Sequence, residues 1–533
     1  MALADYREHT SYHLDIMTLV NNEGEAFDMR GLFLQCFINE SIYDNFLSGE
    51  VVFVDSLGLF EKIKFSGQES LRIRFYQPTG TGQATHEDDI IDKVFRIYKI
   101  GDNKRIDQNT QTVSCRFASP ELLDAKRKRI SQSFKGEVLS LAAKIAEDYL
   151  DISNDPSSIS GTLQPGFEWR TPASEEHQVI IPNWTVQNTI NWLCSKAQAN
   201  DYSSSPLDSY FFYQTANGNF RINSIREMFT SESATDTFYY TDVGNEYNQA
   251  PLGYDNTNPE DPSSIGPGSG RRILDYYVAS TSSVLDAAVS GFFGSKLITI
   301  NNTGKYYSER TYDYLERFFS KSKGERGLDD QPLIRLEPET LYIGSRQGQV
   351  TADTTTEGTY NTYKALNKYP DAYHLLMNQS EFVNDDKGIV SSVNGSAHFG
   401  GQQMRQATAQ LMKFHTTQCL ISTRTDISCG QVINLKIPLP LPDATGLKRE
   451  QQFHDGRHLI TNIQWIFNQH ICNTNIVCMK DSLQNNLETT AGKYSFSLTV
   501  TDAYGASDVY TRDIQLGPEP NQAPEAEYTA QRD

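Results

Sequence analysis

The sequence lacks any run approaching the roughly 20 apolar residues that cross a bilayer, contains no CxxC pair and has no surplus of positive charge. Each absence closes a class. No transmembrane helix is expected. The opening stretch MALADYREHTSYHLD carries charges where a signal peptide needs an apolar core, so folding in the cytoplasm is the expectation. The seven cysteines (Cys36, Cys115, Cys194, Cys419, Cys429, Cys472, Cys478) are odd in number and scattered. That pattern reads as reduced, buried thiols and not as a disulfide framework or a zinc site. A formal net charge of −20 repels phosphate and argues against tight, sequence-specific nucleic-acid binding. The basic run Lys126, Arg127, Lys128, Arg129 fits the solvated face of a helix.

Catalytic templates are missing as well. There is no HExxH, no Cys/His cluster with zinc spacing and no GxSxG; GPGSG at 266–270 misses the last by one position. GTG at 80–82 follows a strand with no helix behind it, which is not a phosphate cradle. Acidic neighbours such as Glu309 with Asp313, or Asp329 with Asp330, are expected by chance among 67 acidic residues, and His398, His415 and His454 are dispersed. No catalytic, cofactor-binding or metal-binding residues are assigned, and the chain is not expected to be an enzyme.

What the sequence has is strand material: 28 Tyr and 27 Phe in 533 residues, side chains that suit a pleated, half-buried surface. VVFVDSLGLFEKIKFSGQESLRIRF (51–75) reads as a half-open hairpin, with Leu71, Ile73 and Phe75 alternating against Arg72 and Arg74, Gly58 supplying a positive φ and Gly67 preceding the second run. Strands are expected at 94–100 and 112–117 around a turn at Gly101, Asp102 and Asn103. SPELL then opens a helix, with Ser119 as N-cap and Pro120 in the first turn. Apolar stripes predict further helices at about 136–150 and after Asn183 or Thr185. A hairpin is predicted at 209–225 around Asn217–Gly218, and a surface loop at 242–272. Strand candidates resume at 273 and 291–301, and a polar segment fills 316–400. A helix is expected at 402–414 and strands at 418–427, 431–437, 458–467 and 474–480.

The fold class expected is α+β, mainly β, with two related β units that do not align by eye. The division is 1–118, first β unit; 119–206, helical insertion; 207–272, return to the first unit and loop; 273–315, second β unit; 316–400, polar insertion; 401–485, second unit completed; 486–533, tail.

Taken in order, the 51–75 segment, SPELLDAKRKRISQSFKGEV (119–138), SYFFYQTANGNFRINSI (209–225), TRTDISCGQVINLKIP (423–438) and HLITNIQWIF with NIVCMKDSL (458–467, 475–483) resemble the central baseplate hub protein of contractile-tailed bacteriophages, cyanophage hubs in particular. The resemblance implies that the first and second β units are tail-tube-like antiparallel β-barrels, two per chain, and that the chain forms a homotrimer whose six barrels continue the hexameric tail tube above a trimeric cell-puncturing spike. It implies tail tube, spike and baseplate wedge proteins as partners, with DNA only in transit, no membrane insertion and no cofactor. The place would be the virion tail baseplate, assembled in the host cytoplasm. Within 51–75 it directs attention to Asp55, Gly58, Gly67 and Glu69 as assembly residues. Residues 489–516 resemble the last two strands of a polycystic-kidney-disease-type immunoglobulin-like domain, a partial sandwich at most, since a full one takes about 100 residues. An adhesin using this tail is the alternative function, and a tail-associated hydrolase a third.

Overall fold

A computed structural model describes residues 12–56, 58–77, 90–107, 110–152, 167–170, 176–197, 209–225, 228, 236–240, 272–279, 294–301, 306–313, 374–378, 415–442, 448–450, 455–480, 493–501 and 507–515. The helix expected at 402–414, the histidines at 398 and 454 and most of the 242–272 and 316–400 segments lie outside them.

The chain begins with strands β1 (His13–Val20), β2 (Ala26–Asp28), β3 (Phe33–Ser41) and β4 (Ser48–Asp55), a short helix α1 (Leu59–Ile63), then β5 (Ser70–Tyr76), β6 (Ile91–Asp107) and β7 (Thr110–Ala118). The alternation in β5 holds: Leu71, Ile73 and Phe75 are fully buried, each worth about 1.5–3 kcal/mol, while Arg72 bonds Asp92 on β6 at 3.0 and 2.7 Å. The hairpin expected over 51–75 does not form. Strand β4 pairs with β3 and β7, whereas β5 pairs with β1 and β6. The cause is local: Asp55 accepts the Phe60 amide at 3.2 Å, and Gly58 (φ 65) and Lys64 (φ 55) bracket a helical turn in place of a tight reversal. The turn expected at 101–103 is likewise absent; β6 runs through it, and its ladder to β7 shifts between Ile100 and Asn103, a bulge.

An insertion follows: α2 (Pro120–Arg127), β8 (Arg129–Glu137), α3 (Val138–Leu150), β9 (Phe167–Arg170), β10 (Glu176–Thr185), α4 (Val186–Lys196), β11 (Tyr210–Gln214) and β12 (Phe220–Ser224). It has its own core, to which α3 gives Val138, Leu141, Ala142 and Ile145 and α4 gives Ile190, Leu193 and Cys194. Thr185 caps α4 by accepting the Asn188 amide at 3.3 Å. Ser119 stands at the N-cap of α2, but its hydroxyl donates to Gln214. In the basic run, Arg127 pairs with Asp124 at 2.9 Å and Lys128 donates to the Tyr149 carbonyl at 2.6 Å. The β11–β12 hairpin turns at Asn217–Gly218 with Gly218 at φ 93, as read from the sequence. It pairs with β9 and packs into the insertion's core, where the sequence reading returns it to the first barrel.

Beyond it come β13 (Thr237–Tyr240) and β14 (Arg272–Ala279), a side sheet of β15 (Gly294–Asn301), β16 (Tyr306–Asp313) and β17 (His374–Asn378), then β18 (Thr416–Ser422) and β19 (Val432–Lys436). A small ribbon of β20 (Pro438–Pro442) and β21 (Lys448–Glu450) precedes β22 (Gly456–Asn468) and β23 (Cys472–Met479). The tail contributes β24 (Lys493–Thr501) and β25 (Ser507–Gln515), an antiparallel pair that joins no other sheet among the described residues. An immunoglobulin-like sandwich is therefore not assembled by the described chain.

The fold is mainly β, and its large sheet contains two six-stranded units of matching order. The first reads β3-β4-β7-β6-β5-β1; the second reads β14-β18-β23-β22-β19-β13 and closes on itself through β13 and β14. Numbered by chain position within each unit, both run second, third, sixth, fifth, fourth, first. Their irregularities also coincide. Register shifts between Phe33 and Gln35 where β3 meets β4, and between Ile273 and Asp275 where β14 meets β18. It shifts again between Ile97 and Lys99 where β6 meets β7, and between Ile460 and Asn462 where β22 meets β23. Ser48 pairs with Ala118 as Thr416 pairs with Met479. Phe33 thus corresponds to Ile273, Ile97 to Ile460 and Phe117 to Cys478. The first strand departs from the match: β1 lies antiparallel to β5, but β13 lies parallel to both β19 and β14.

Candidate assembly interface

The two units meet along a seam inside the chain. Strand β22 is long enough to serve both. Its first half pairs with β19 and closes the second barrel, and its distal half, Asn462–Asn468, pairs antiparallel with β3 of the first unit. Trp465 opposes Ile38, Ile463 opposes Glu40, and Gln464 donates to the Asn39 side chain at 2.8 Å. Phe467 reaches furthest, with ring centroids 5.9 Å from Phe33, 5.0 Å from Phe75 and 5.6 Å from Tyr12, whose hydroxyl donates to the Asn468 carbonyl. The distal half of β22 therefore fills the opening between β3 and β1 that the first unit's own ladder leaves. One continuous hydrophobic core runs through both units.

Buried polar groups tie the same junction. Glu40 on β3 is 1% exposed, and its carboxylate accepts the Cys429 amide at 2.6 Å and the Ala216 amide at 2.7 Å. It thereby links the first unit, the second unit and the insertion. Burial pushes its carboxyl up to about 7, against the opposing pull of these amides and of Arg221. Arg424 bridges Asp236 at 2.9 Å and Asp426 at 2.5 Å, and the Trp465 indole donates to its carbonyl at 2.8 Å. Lys93 on β6 meets Glu121 on α2 at 3.2 Å, both buried.

The four residues singled out in 51–75 are turn-builders. Asp55 is 3% exposed and accepts from Phe60 and from the Gln111 side chain at 3.3 Å. Glu69 is 1% exposed and accepts the Ser66 amide at 2.6 Å and the Gly67 amide at 2.8 Å, with Gly67 at φ 83. Gly58 starts α1. These residues act within the chain, setting the path from β4 to β5. The seam residues Glu40, Trp465 and Phe467 carry no local signature beyond strand alternation, so sequence pattern alone does not single them out.

All seven cysteines are buried free thiols; burial pushes Cys194, Cys419 and Cys472 up to about 12, away from thiolate chemistry. Among the described residues no group of three His, Cys, Asp or Glu could hold a metal ion, and no helix is long and apolar enough to cross a membrane. Glu309 pairs across strands with Lys296 at 2.7 Å.

No family model and no curated protein matches the sequence. Solved structures do. The chain is similar to tail proteins, one of them from a prophage. A tail protein from Neisseria meningitidis MC58 is 10% identical over 88% of this chain and 97% of its own, with a TM-score of 0.41. The 43 kDa tail protein of prophage MuSo2 from Shewanella oneidensis is 10% identical over 87% and 97%, with a TM-score of 0.42. An E. coli component of the type VI secretion system, itself described as similar to T4 bacteriophage tail proteins, is 8% identical over 92% and 82%, at 0.35. Likeness at these identities and scores assigns no activity.

Proposed function

We propose that this chain is a structural, non-enzymatic virion protein, the trimeric baseplate hub that joins a hexameric tail tube to a trimeric spike. The observation that carries the reading is the register-matched repetition of one six-stranded unit within a single polypeptide. Three copies of such a chain present six quasi-equivalent units, which reconciles three-fold symmetry below with six-fold symmetry above. The same repetition supports a division into a first unit up to residue 118, an insertion, a second unit and a tail. Tail tube protein would stack on the ring, spike would sit beneath it, and wedge proteins would contact the periphery, at the baseplate of a contractile tail assembled in the host cytoplasm. Asp55, Gly58, Gly67 and Glu69 would serve assembly by fixing the β4–β5 path. A net charge of −20 suits a conduit through which DNA slides without sticking.

Native mass measurement tests this. Purified chain alone is expected at three times 60.1 kDa, and with its spike as that trimer plus the mass of the spike; a monomer under both conditions overturns it. The adhesin alternative rests on the tail alone. With residues 486–533 deleted, a hub still forms its trimer, whereas an adhesin loses its binding.

A further inference from the structure

The seam inside the chain has a counterpart that the described residues leave open. In the second unit, β22 pairs with β19 as far as Leu459, passes the bulge before Asn462 and then crosses to β3. Its equivalent in the first unit is β6, which pairs with β5 as far as Arg96 and passes the same bulge before Lys99. Beyond that point β6 pairs with β7 alone among the described residues. The strand equivalent to β3 is β14. Strand β13 reaches it only at Arg272 and Ile273, and from Asp275 onward β14 pairs with β18 alone among the described residues.

The exposed surface agrees. On β22 the overhang is sealed, with Ile463 1% and Trp465 0% exposed. On β6 the corresponding stretch shows Ile100 at 37% and Ile106 at 61%, with Tyr98 in the bulge before it at 45%, and on β14 Tyr277 is 67% exposed. Two sheet edges with exposed apolar side chains, placed where the intact seam has its two partners, are a template for β-addition.

We propose that the distal half of β6 adds antiparallel to β14 of a second copy of this chain, in the register of the β22–β3 seam. This rests on the hub reading and names the surface that closes its ring. The register transfers residue by residue. Trp465, which pairs with Thr474 and opposes Ile38, corresponds to Asn103, which pairs with Val113; Ile38 corresponds to Val278. Asn103 therefore faces Val278 of the second copy, and Lys104 faces Tyr277. Lys104 also falls diagonal to Asp275 on the same face, within reach of an opposite-charge contact. The contact is head-to-tail, since β6 and β14 belong to different units, so it generates a ring of alternating first and second units and not an isologous pair.

Cysteine pairing across the seam tests it. Lys104 and Tyr277 are both exposed, directly opposed positions in an antiparallel ladder lie within disulfide range, and the native cysteines are buried. Co-expressed K104C and Y277C chains, mildly oxidised, are expected to give a covalent dimer that neither gives alone, and the K104C/Y277C double variant a covalent trimer. A trimer by native mass with no cross-link in the co-expressed pair overturns the seam and leaves the hub reading standing. Self-linking of either single variant also overturns the seam. A monomer throughout removes the hub reading and the seam with it. As a second variant, I100E is expected to weaken trimer assembly at least tenfold while the monomer keeps its near-UV circular dichroism; unchanged assembly overturns the proposal.

Discussion

Glu40 shows how much a single side chain can couple. Its two oxygens receive amides from residues 216 and 429, far apart in sequence, yet burial outweighs those bonds and lifts the carboxyl from the ordinary 4.5 to about 7. Between those values the unfolded chain has lost the proton that the folded chain keeps. Stability contributed by this group therefore falls as pH rises from about 4.5 to 7 and levels off above. Comparing urea midpoints of wild type and Glu40→Gln across that window should show the wild type losing stability relative to the variant; parallel curves would refute the assignment. Nothing local announces Glu40, which sits in a strand as one more acidic residue. Asp55, Gly58, Gly67 and Glu69 are the reverse case. Their turn chemistry is plain in the sequence, but whether a turn-builder also meets another molecule depends on what the finished surface faces.

At the scale of elements, alternation finds strands better than it finds their partners. Strand β5 and the β11–β12 hairpin lie where side-chain pattern and turn residues put them. Pairing is a different matter. Strands β4 and β5 are neighbours in sequence and strangers in the sheet, because α1 intervenes. Strand β22 is legible as a strand, yet its pattern does not say that one half serves each unit. Phe467 measures that double service. It lies on a second-unit strand but packs against Phe33, Phe75 and Tyr12 of the first. Phe467→Ala is expected to cost about 3–5 kcal/mol, with both units losing stability together in denaturant melts. A variant whose first unit alone softens would show that the units are uncoupled.

For the whole molecule, the duplication is written in registers and bulges and hardly at all in side chains. Phe33 answers to Ile273, Cys36 to Tyr276 and Phe117 to Cys478, substitutions that keep a strand position filled while erasing sequence likeness. This is why two β units are readable from composition and periodicity but do not align by eye. The reversed first strand adds a second reason, since β1 and β13 run in opposite senses against equivalent neighbours. A net charge of −20 belongs to this scale too, as a property of the whole surface that no single residue carries.

The shared strand has a temporal side. Residues 12 and 468, joined by a hydrogen bond, stand 456 positions apart, so during synthesis the amino-terminal unit leaves the ribosome long before the aromatic plug that seals it exists. Contacts of such sequence separation form late, and an open sheet edge waiting for them invites wrong partners. Truncating the chain at residue 240 should yield a fragment that is rapidly cleaved by protease; a resistant fragment would mean that the first unit completes itself unaided.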